Sequence, residues 1–242
     1  SPARPAVGES EVRIYTLSWP IRAASDDMEE WLSSGKLNYG STDLELGVEH
    51  PGGTPDGAQL VGLRFAQLTI PSGAIVLDAY IQFAGKEVKG PDAPFDVAIA
   101  AEDAADSAPF NRGNASALLA PYDLSSRKTA GPSVRWTLTA EEAALWMAAD
   151  ETGAARRTPD LSALVQAIVD RPDWASGNAM AFILSGTGNR TAYAYERDPS
   201  RATVLRATFA YAGDLAAQVA PAGLTAVPPT RQANDNGKIA GT

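Results

Sequence analysis

Two closely spaced groups of carboxylates are the residues of this chain best suited to chemistry. Ala24-Ser25-Asp26-Asp27-Met28-Glu29-Glu30 is followed by Ser41-Thr42-Asp43-Leu44-Glu45-Leu46. Calcium takes six to eight oxygens from carboxylates, carbonyls and water. If the hairpin between the two stretches closes, Asp27, Glu29, Glu30, Asp43 and Glu45 gather around one divalent cation, and calcium is the expected cofactor. Asp43 and Glu45 alternate with Leu44 and Leu46, which predicts a strand with its acids facing out and its leucines facing the core. The competing reading of the same acids is a solvated rim. Asp26-Asp27-Met28-Glu29 lacks the alternation and the glycine of an EF-hand loop.

Other chemistry is sparse. The chain has one histidine, His50, in the turn Glu49-His50-Pro51-Gly52, and no cysteine. A zinc site built on thiolates and imidazoles is therefore out of reach. No Gly-x-Ser-x-Gly elbow accompanies the lone histidine. Gly52-Gly53 and Gly186-Thr187-Gly188 lack the Lys-Ser/Thr of a phosphate loop and read as turns. A carboxylate pair for glycoside cleavage is the one catalytic route left, and the expectation is a protein that is not an enzyme. Trp19, Trp31, Tyr39, Tyr122, Tyr193 and Tyr195 could stack on sugar rings. Trp31, Tyr39 and Tyr195 are the ligand-binding candidates, with Arg190 as a hydrogen-bonding partner for a sugar or an acidic group. Trp136 and Trp146 fall where core packing explains them.

Composition narrows the partners. The 242 residues carry 20 Lys+Arg against 29 Asp+Glu, a net charge of −9. A nucleic acid is bound by clustered cations that neutralise phosphates, and no such stripe is present, so no nucleic-acid partner is expected. No run of about 18 apolar residues predicts a transmembrane segment. Ser1-Pro2-Ala3-Arg4-Pro5 has no apolar signal core, and scarce lysine suits an exported protein. The expectation is an extracellular or cell-surface location with a signal peptide already removed.

The elements that must position these residues are strands. Period-two alternation recurs at Val61/Leu63/Phe65, Ile75/Leu77/Ala79/Ile81/Phe83, Phe95/Val97/Ile99, Val134/Trp136/Leu138, Met180/Phe182/Leu184, Thr191/Tyr193/Tyr195 and Val204 to Tyr211. With strands near Val12–Ile21 and Leu44–Val48, the pattern predicts about nine. A helix is predicted from a Thr158 cap and Pro159 through Leu161, Leu164, Val165 and Ile168, stopped by Pro172. A shorter one is predicted where Thr139 and Glu142 form a capping box, with Leu145 and Trp146 turned inward. The fold class predicted is all-β: a jelly-roll-like antiparallel sandwich with one or two short covering helices. Residues 1–9 read as an N-terminal arm, 10–212 as the sandwich domain, and 213–242 as a Pro/Gly/Ala-rich arm or linker.

One family is similar across this ordered series. The carrying residues are Ser25-Asp26-Asp27-Met28-Glu29-Glu30, Ser41-Thr42-Asp43-Leu44-Glu45-Leu46-Gly47, Val61-Gly62-Leu63-Arg64-Phe65, Ile70-Pro71-Ser72-Gly73-Ala74-Ile75 and Ala79-Tyr80-Ile81-Gln82-Phe83. The helix running to Trp174 and the Asn178–Ser185 strand follow. Over residues 12 to 211 the chain resembles the DNRLRE-type bacterial extracellular jelly-roll modules, which are related to carbohydrate-binding modules. The letters DNRLRE themselves do not occur; Gly188-Asn189-Arg190 is the nearest approach. The resemblance implies a secreted or surface module that binds polysaccharide; with the carboxylates as a calcium site and no catalytic motif, the expectation is a non-catalytic, calcium-stabilised module. The alternative, which the Pro/Gly/Ala-rich tail favours, is a structural subunit of a multi-chain assembly, an oligomer whose extended tail packs on a neighbour.

Overall fold

Alternating apolar residues build strands because one face of each can be buried while the other meets water. The computed structural model describes residues 11–38, 40–49, 57–88, 94–110, 123–147 and 154–215. Its strands are β1 (Val12–Pro20), β2 (Asp27–Trp31), β3 (Lys36–Asn38), β4 (Asp43–Gly47), β5 (Gln59–Phe65), β6 (Ile75–Gln82), β7 (Gly85–Glu87), β8 (Asp96–Glu102), β9 (Thr129–Thr137), β10 (Met180–Thr187), β11 (Asn189–Tyr193) and β12 (Val204–Ala212). Short helices α1 (Asp123–Ser126), α2 (Ala140–Ala144) and α3 (Ser162–Val169) interrupt them. The protein is an all-β sandwich, as predicted, although β2, β3 and β7 raise the described strands above the expected nine.

Three antiparallel sheets form, in the orders β1-β12-β6, β3-β2-β5-β10-β8-β9 and β4-β11-β7. One apolar core joins all of them. The long sheet contributes Val61, Leu63, Phe65, Val97, Ile99, Phe182 and Leu184, which meet Ala79, Ile81, Leu205 and Phe209 of the first sheet and Leu44, Leu46 and Ala192 of the third. Each of the large side chains contributes about 1.5–3 kcal/mol through removal from water. Phe83 and Phe95 flank the Trp136 ring at 5.6 and 5.0 Å. A second, smaller cluster lies on the opposite face of the long sheet, where Phe110 and Leu124 cover Met28, Leu37, Leu60, Ala181 and Ile183.

Several predicted details change. Thr158 does not cap a helix: its hydroxyl accepts from the Ile81 N–H at 3.0 Å, and its own N–H bonds the Ile81 carbonyl. The chain there runs beside β6, and α3 begins only at Ser162, whose N–H is held by Asp160 at 2.8 Å. The capping box of Thr139 and Glu142 forms as expected. Of the pair after it, Trp146 is buried and Leu145 is exposed. In β6 the predicted single face breaks, because β12 pairs Thr208 with Asp78 but Phe209 with Val76. Leu77 is the extra residue of that bulge, and Ile75 moves to the outer face. Residues 213–215 stay packed on the sandwich: Tyr15 Oη donates to the Gly213 carbonyl at 3.1 Å, and Leu215 joins the core. The expected N-terminal arm, 1–9, and residues 216–242 of the expected C-terminal arm lie outside the described residues. Among the described residues no helix is long and apolar enough to cross a membrane.

Candidate functional site

The acidic stretch is a strand, and its acids point inward. β2 pairs with β5 so that Asp27 lies opposite Leu63 and Glu29 opposite Val61. Side chains directly opposite share a face, so Asp27 and Glu29 project into the sandwich while Met28 and Glu30 project to the small cluster. Each carboxylate finds donors brought from far along the chain. Asp26 pairs with Arg64 at 2.6 Å, and Arg64 also donates to the Ser107 carbonyl. Asp27 accepts the Tyr195 N–H at 2.8 Å. Glu30 accepts the N–H groups of Leu124 and Ser125 at 2.7 and 3.2 Å, anchoring α1.

Glu29 is fully enclosed. Its Oε1 accepts the Glu45 N–H at 2.8 Å and Gln59 Nε2 at 3.1 Å, and its Oε2 accepts Asn38 Nδ2 at 2.9 Å. Gln59 Nε2 also donates to the Glu45 carbonyl at 2.8 Å. β4 is an edge strand, and these two side chains satisfy its outward backbone groups where a neighbouring strand is missing. Burial, then a hydrogen bond with the Glu45 carboxyl and repulsion from its charge, push the Glu29 pKa well above the ordinary carboxyl range. Glu45 is itself buried, where the sequence predicted an outward face.

The five expected calcium ligands are thus distributed over separate contacts. The structure brings Glu29 and Glu45 together and places Asp27 on the same face of β2, bonded to Tyr195. Glu30 is on the other side of the sheet. Asp43 pairs with Lys86 at 2.6 Å. Among the described residues no group of three or more Asp, Glu and His is set to hold a metal ion. The N–H donors around Glu29 pull its pKa down against burial and the Glu45 carboxyl, and they occupy oxygens that a cation, which demands a shell of oxygens, would need. Gln59 and Asn38, which complete this arrangement, had no signature in the sequence.

The expected ligand contacts are equally dispersed. Trp31 is half-buried under Lys36, whose Nζ is 4.8 Å from the ring centroid. Tyr195 is half-buried against the main core, and Tyr39 lies outside the described residues. Arg190 is 1% exposed, facing the core beside Leu46. Its Nη1 donates to the Asn189 carbonyl at 2.6 Å, its guanidinium is 5.6 Å from the Phe95 ring, and burial lowers its pKa. Tyr193 is covered by Arg201 at 3.9 Å, and Tyr80 by Arg157 at 4.6 Å.

A second candidate site is a surface that includes Ile75 and Leu77, which the alternation placed on one face with Ala79 and Ile81. On the outer face of the β1-β12-β6 sheet, Ile14 lies opposite Ala210, and Ala210 opposite Ile75. Val12 and Ala212 form the adjoining row. Val12, Ile14, Ile75 and Leu77 are 64%, 64%, 62% and 48% exposed, the most contiguous of the exposed large apolar residues. Toward the other end the same face turns polar, with Thr16 and Thr208 hydroxyls 2.9 Å apart and Arg206 opposite Tyr80.

No protein-family model matches this chain, and a search of the curated proteins finds no significant match.

Proposed function

We propose that this chain is a non-catalytic β-sandwich module that joins polypeptides, with the outer face of the β1-β12-β6 sheet as its working surface. The observation that carries the reading is the exposed row Ile14–Ala210–Ile75 with Val12 and Leu77 beside it. A contiguous apolar patch rimmed by polar residues marks an interaction site, whereas scattered single residues do not. The buried use of Asp27, Glu29, Glu30 and Glu45 as internal acceptors supports a structural role for the acids. The resemblance to secreted jelly-roll modules supports an extracellular or cell-surface setting.

Polysaccharide binding through Trp31, Tyr39, Arg190 and Tyr195 is the competing reading, and one set of measurements separates them. Lysine at both Ile75 and Leu77 should raise the salting-out threshold while changing stability by no more than about 0.5 kcal/mol, since neither side chain is in the core. Affinity electrophoresis through a panel of soluble polysaccharides should show no retardation. Retardation that Trp31→Ala abolishes would replace this reading with ligand binding.

A further inference from the structure

Every sheet edge among the described residues but one is protected. β3 and β7 have three residues each. β4 is capped by Glu29 and Gln59. β9 contains Pro132 and a register shift opposite Ile99 to Ala101, two devices that blunt an edge. β6 is dressed along its length by residues 156–166. Val76 N–H bonds Gln166 Oε1, Ala79 N–H bonds Asp160 Oδ1, Ile81 N–H bonds Thr158 Oγ1, and Phe83 N–H bonds the Arg156 carbonyl, at 2.7 to 3.2 Å. β1 has none of these. It runs nine residues with its only proline at the last position, and its register with β12 is unbroken from Val12 to Pro20. No backbone group of β1 bonds anything beyond that ladder among the described residues. A long unprotected edge is a template for another strand.

Resting on the reading that this sheet joins polypeptides, we infer that the joined partner is a second copy of this chain, paired antiparallel β1 to β1 about a two-fold axis at Ile14. Three observations select this occupant and register. First, it places Ile14 against its symmetry mate, so the row Ile75–Ala210–Ile14 continues into Ile14–Ala210–Ile75 of the second copy without a polar break. Second, it opposes Arg13 to Tyr15 of the other copy. An axis at Arg13 would oppose two guanidinium groups, and an axis at Tyr15 would set each Ile14 against Thr16. Like charges directly opposite destabilise a strand pair. Third, the edge carries Glu11 and Arg13, which pair within one copy at 3.6 Å, so the net charge of −9 is not concentrated where the copies meet. Five residues of each β1, Val12 to Thr16, and one apolar row make a contact smaller than the roughly 800 Å² per partner of a standard interface. The association is therefore weak and concentration-dependent.

The absence of cysteine makes the register directly testable on the full chain. Cross-strand residues on a two-fold have Cβ atoms about 5 Å apart, within small adjustment of a disulfide. Ile14→Cys should give a covalent dimer on mild oxidation at concentrations where sedimentation shows wild-type dimer. Thr16→Cys, whose mate is displaced four residues or roughly 14 Å, should not cross-link, nor should Ile75→Cys two strands away. Ile14→Lys, with unchanged melting temperature, should weaken dimerisation at least about tenfold. A chain that sediments as a monomer at every concentration, with or without exchange-protected β1 amides, overturns the inference. So does cross-linking of Thr16→Cys as readily as Ile14→Cys. A monomer whose solubility still rises with lysine at 75 and 77 loses this inference alone, whereas Trp31-dependent retention by a polysaccharide removes the reading beneath it.

Discussion

Glu29 of β2 and Glu45 of β4 meet carboxyl to carboxyl at the seam between the long sheet and the β4-β11-β7 sheet. The contact is coupled to backbone structure, since the N–H of Glu45 bonds the same Glu29 group. Burial and the neighbouring carboxyl disfavour the Glu29 charge, so Glu29 keeps its proton to a higher pH than a free carboxyl does.

That proton makes stability depend on pH. Glu29 has its pKa raised above the ordinary carboxyl value of 4.5, so the folded chain binds a proton that the unfolded chain releases. The contribution is fully present below that ordinary value and is lost as pH rises through the raised one. Asn38, Gln59 and Glu45 face the group, and no cation is among its bonded partners. Denaturant melts from pH 5 upward should show stability falling with a slope of at most about 1.4 kcal/mol per pH unit from this group. Glu29→Gln should remove that component of the slope. An unchanged slope in the variant would place the proton elsewhere.

Asp26→Ala removes the partner of Arg64 where the two side chains are only 4% and 13% exposed. Breaking an enclosed ion pair leaves an uncompensated charge, so a loss of about 3 kcal/mol is expected. Replacing both residues with apolar ones should cost less than Asp26→Ala alone. Chemical denaturation of the three variants checks the order.

Glu30→Ala should free α1 from the long sheet. Its carboxylate is the shared acceptor for two helix N–H groups, and Leu124 and Phe110 cover the small cluster beside it. The expected cost is about 2 kcal/mol. Limited proteolysis should cut near residues 123–127 faster in the variant while the rest of the sandwich resists.

Gly188→Ala should be among the most damaging small substitutions. Its φ is +75°, and an added Cβ would lie 2.5 Å from the Pro94 carbonyl oxygen and 2.8 Å from the Phe95 Cα. Both neighbours are backbone and cannot rotate away. A loss of 3 kcal/mol or more follows from combining strain with overpacking, read as a lowered melting temperature.

A chelator should leave the melting midpoint unchanged. Any ion bound only by the native state raises its stability, so removal would lower the midpoint. Glu29 is occupied by N–H donors and Asp43 by Lys86, which leaves the expected calcium ligands without a common centre. A fall of several degrees in EDTA would show that the acids gather around an ion after all.

The strands with one apolar face were legible because period two survives without knowledge of partners. Val61, Leu63 and Phe65 are buried as the alternation requires, and Trp136 packs in the core as its position in β9 suggests. β2 was not legible as a buried strand, since Asp-Met-Glu-Glu reads as solvated. What buries it are donors 9 to 168 residues distant, from Asn38 and Gln59 for Glu29 to Tyr195 for Asp27. The alternation of Asp27, Glu29 and Trp31 against Met28 and Glu30 was the one local clue. The outer apolar face was hidden for a different reason. Ile75 and Leu77 continue the pattern of Ala79 and Ile81, and only the bulge against β12 turns them outward.

The pairing of Val12 with Ala212 sets how this module can be built into larger proteins. The strands that open and close the sandwich are neighbours in one ladder, about 5 Å apart. The start of β1 and the end of β12 therefore lie at the same corner of the sandwich. A host could carry the whole sandwich as an insert in a single surface loop, much as a pendant hangs from one clasp, with its own fold undisturbed.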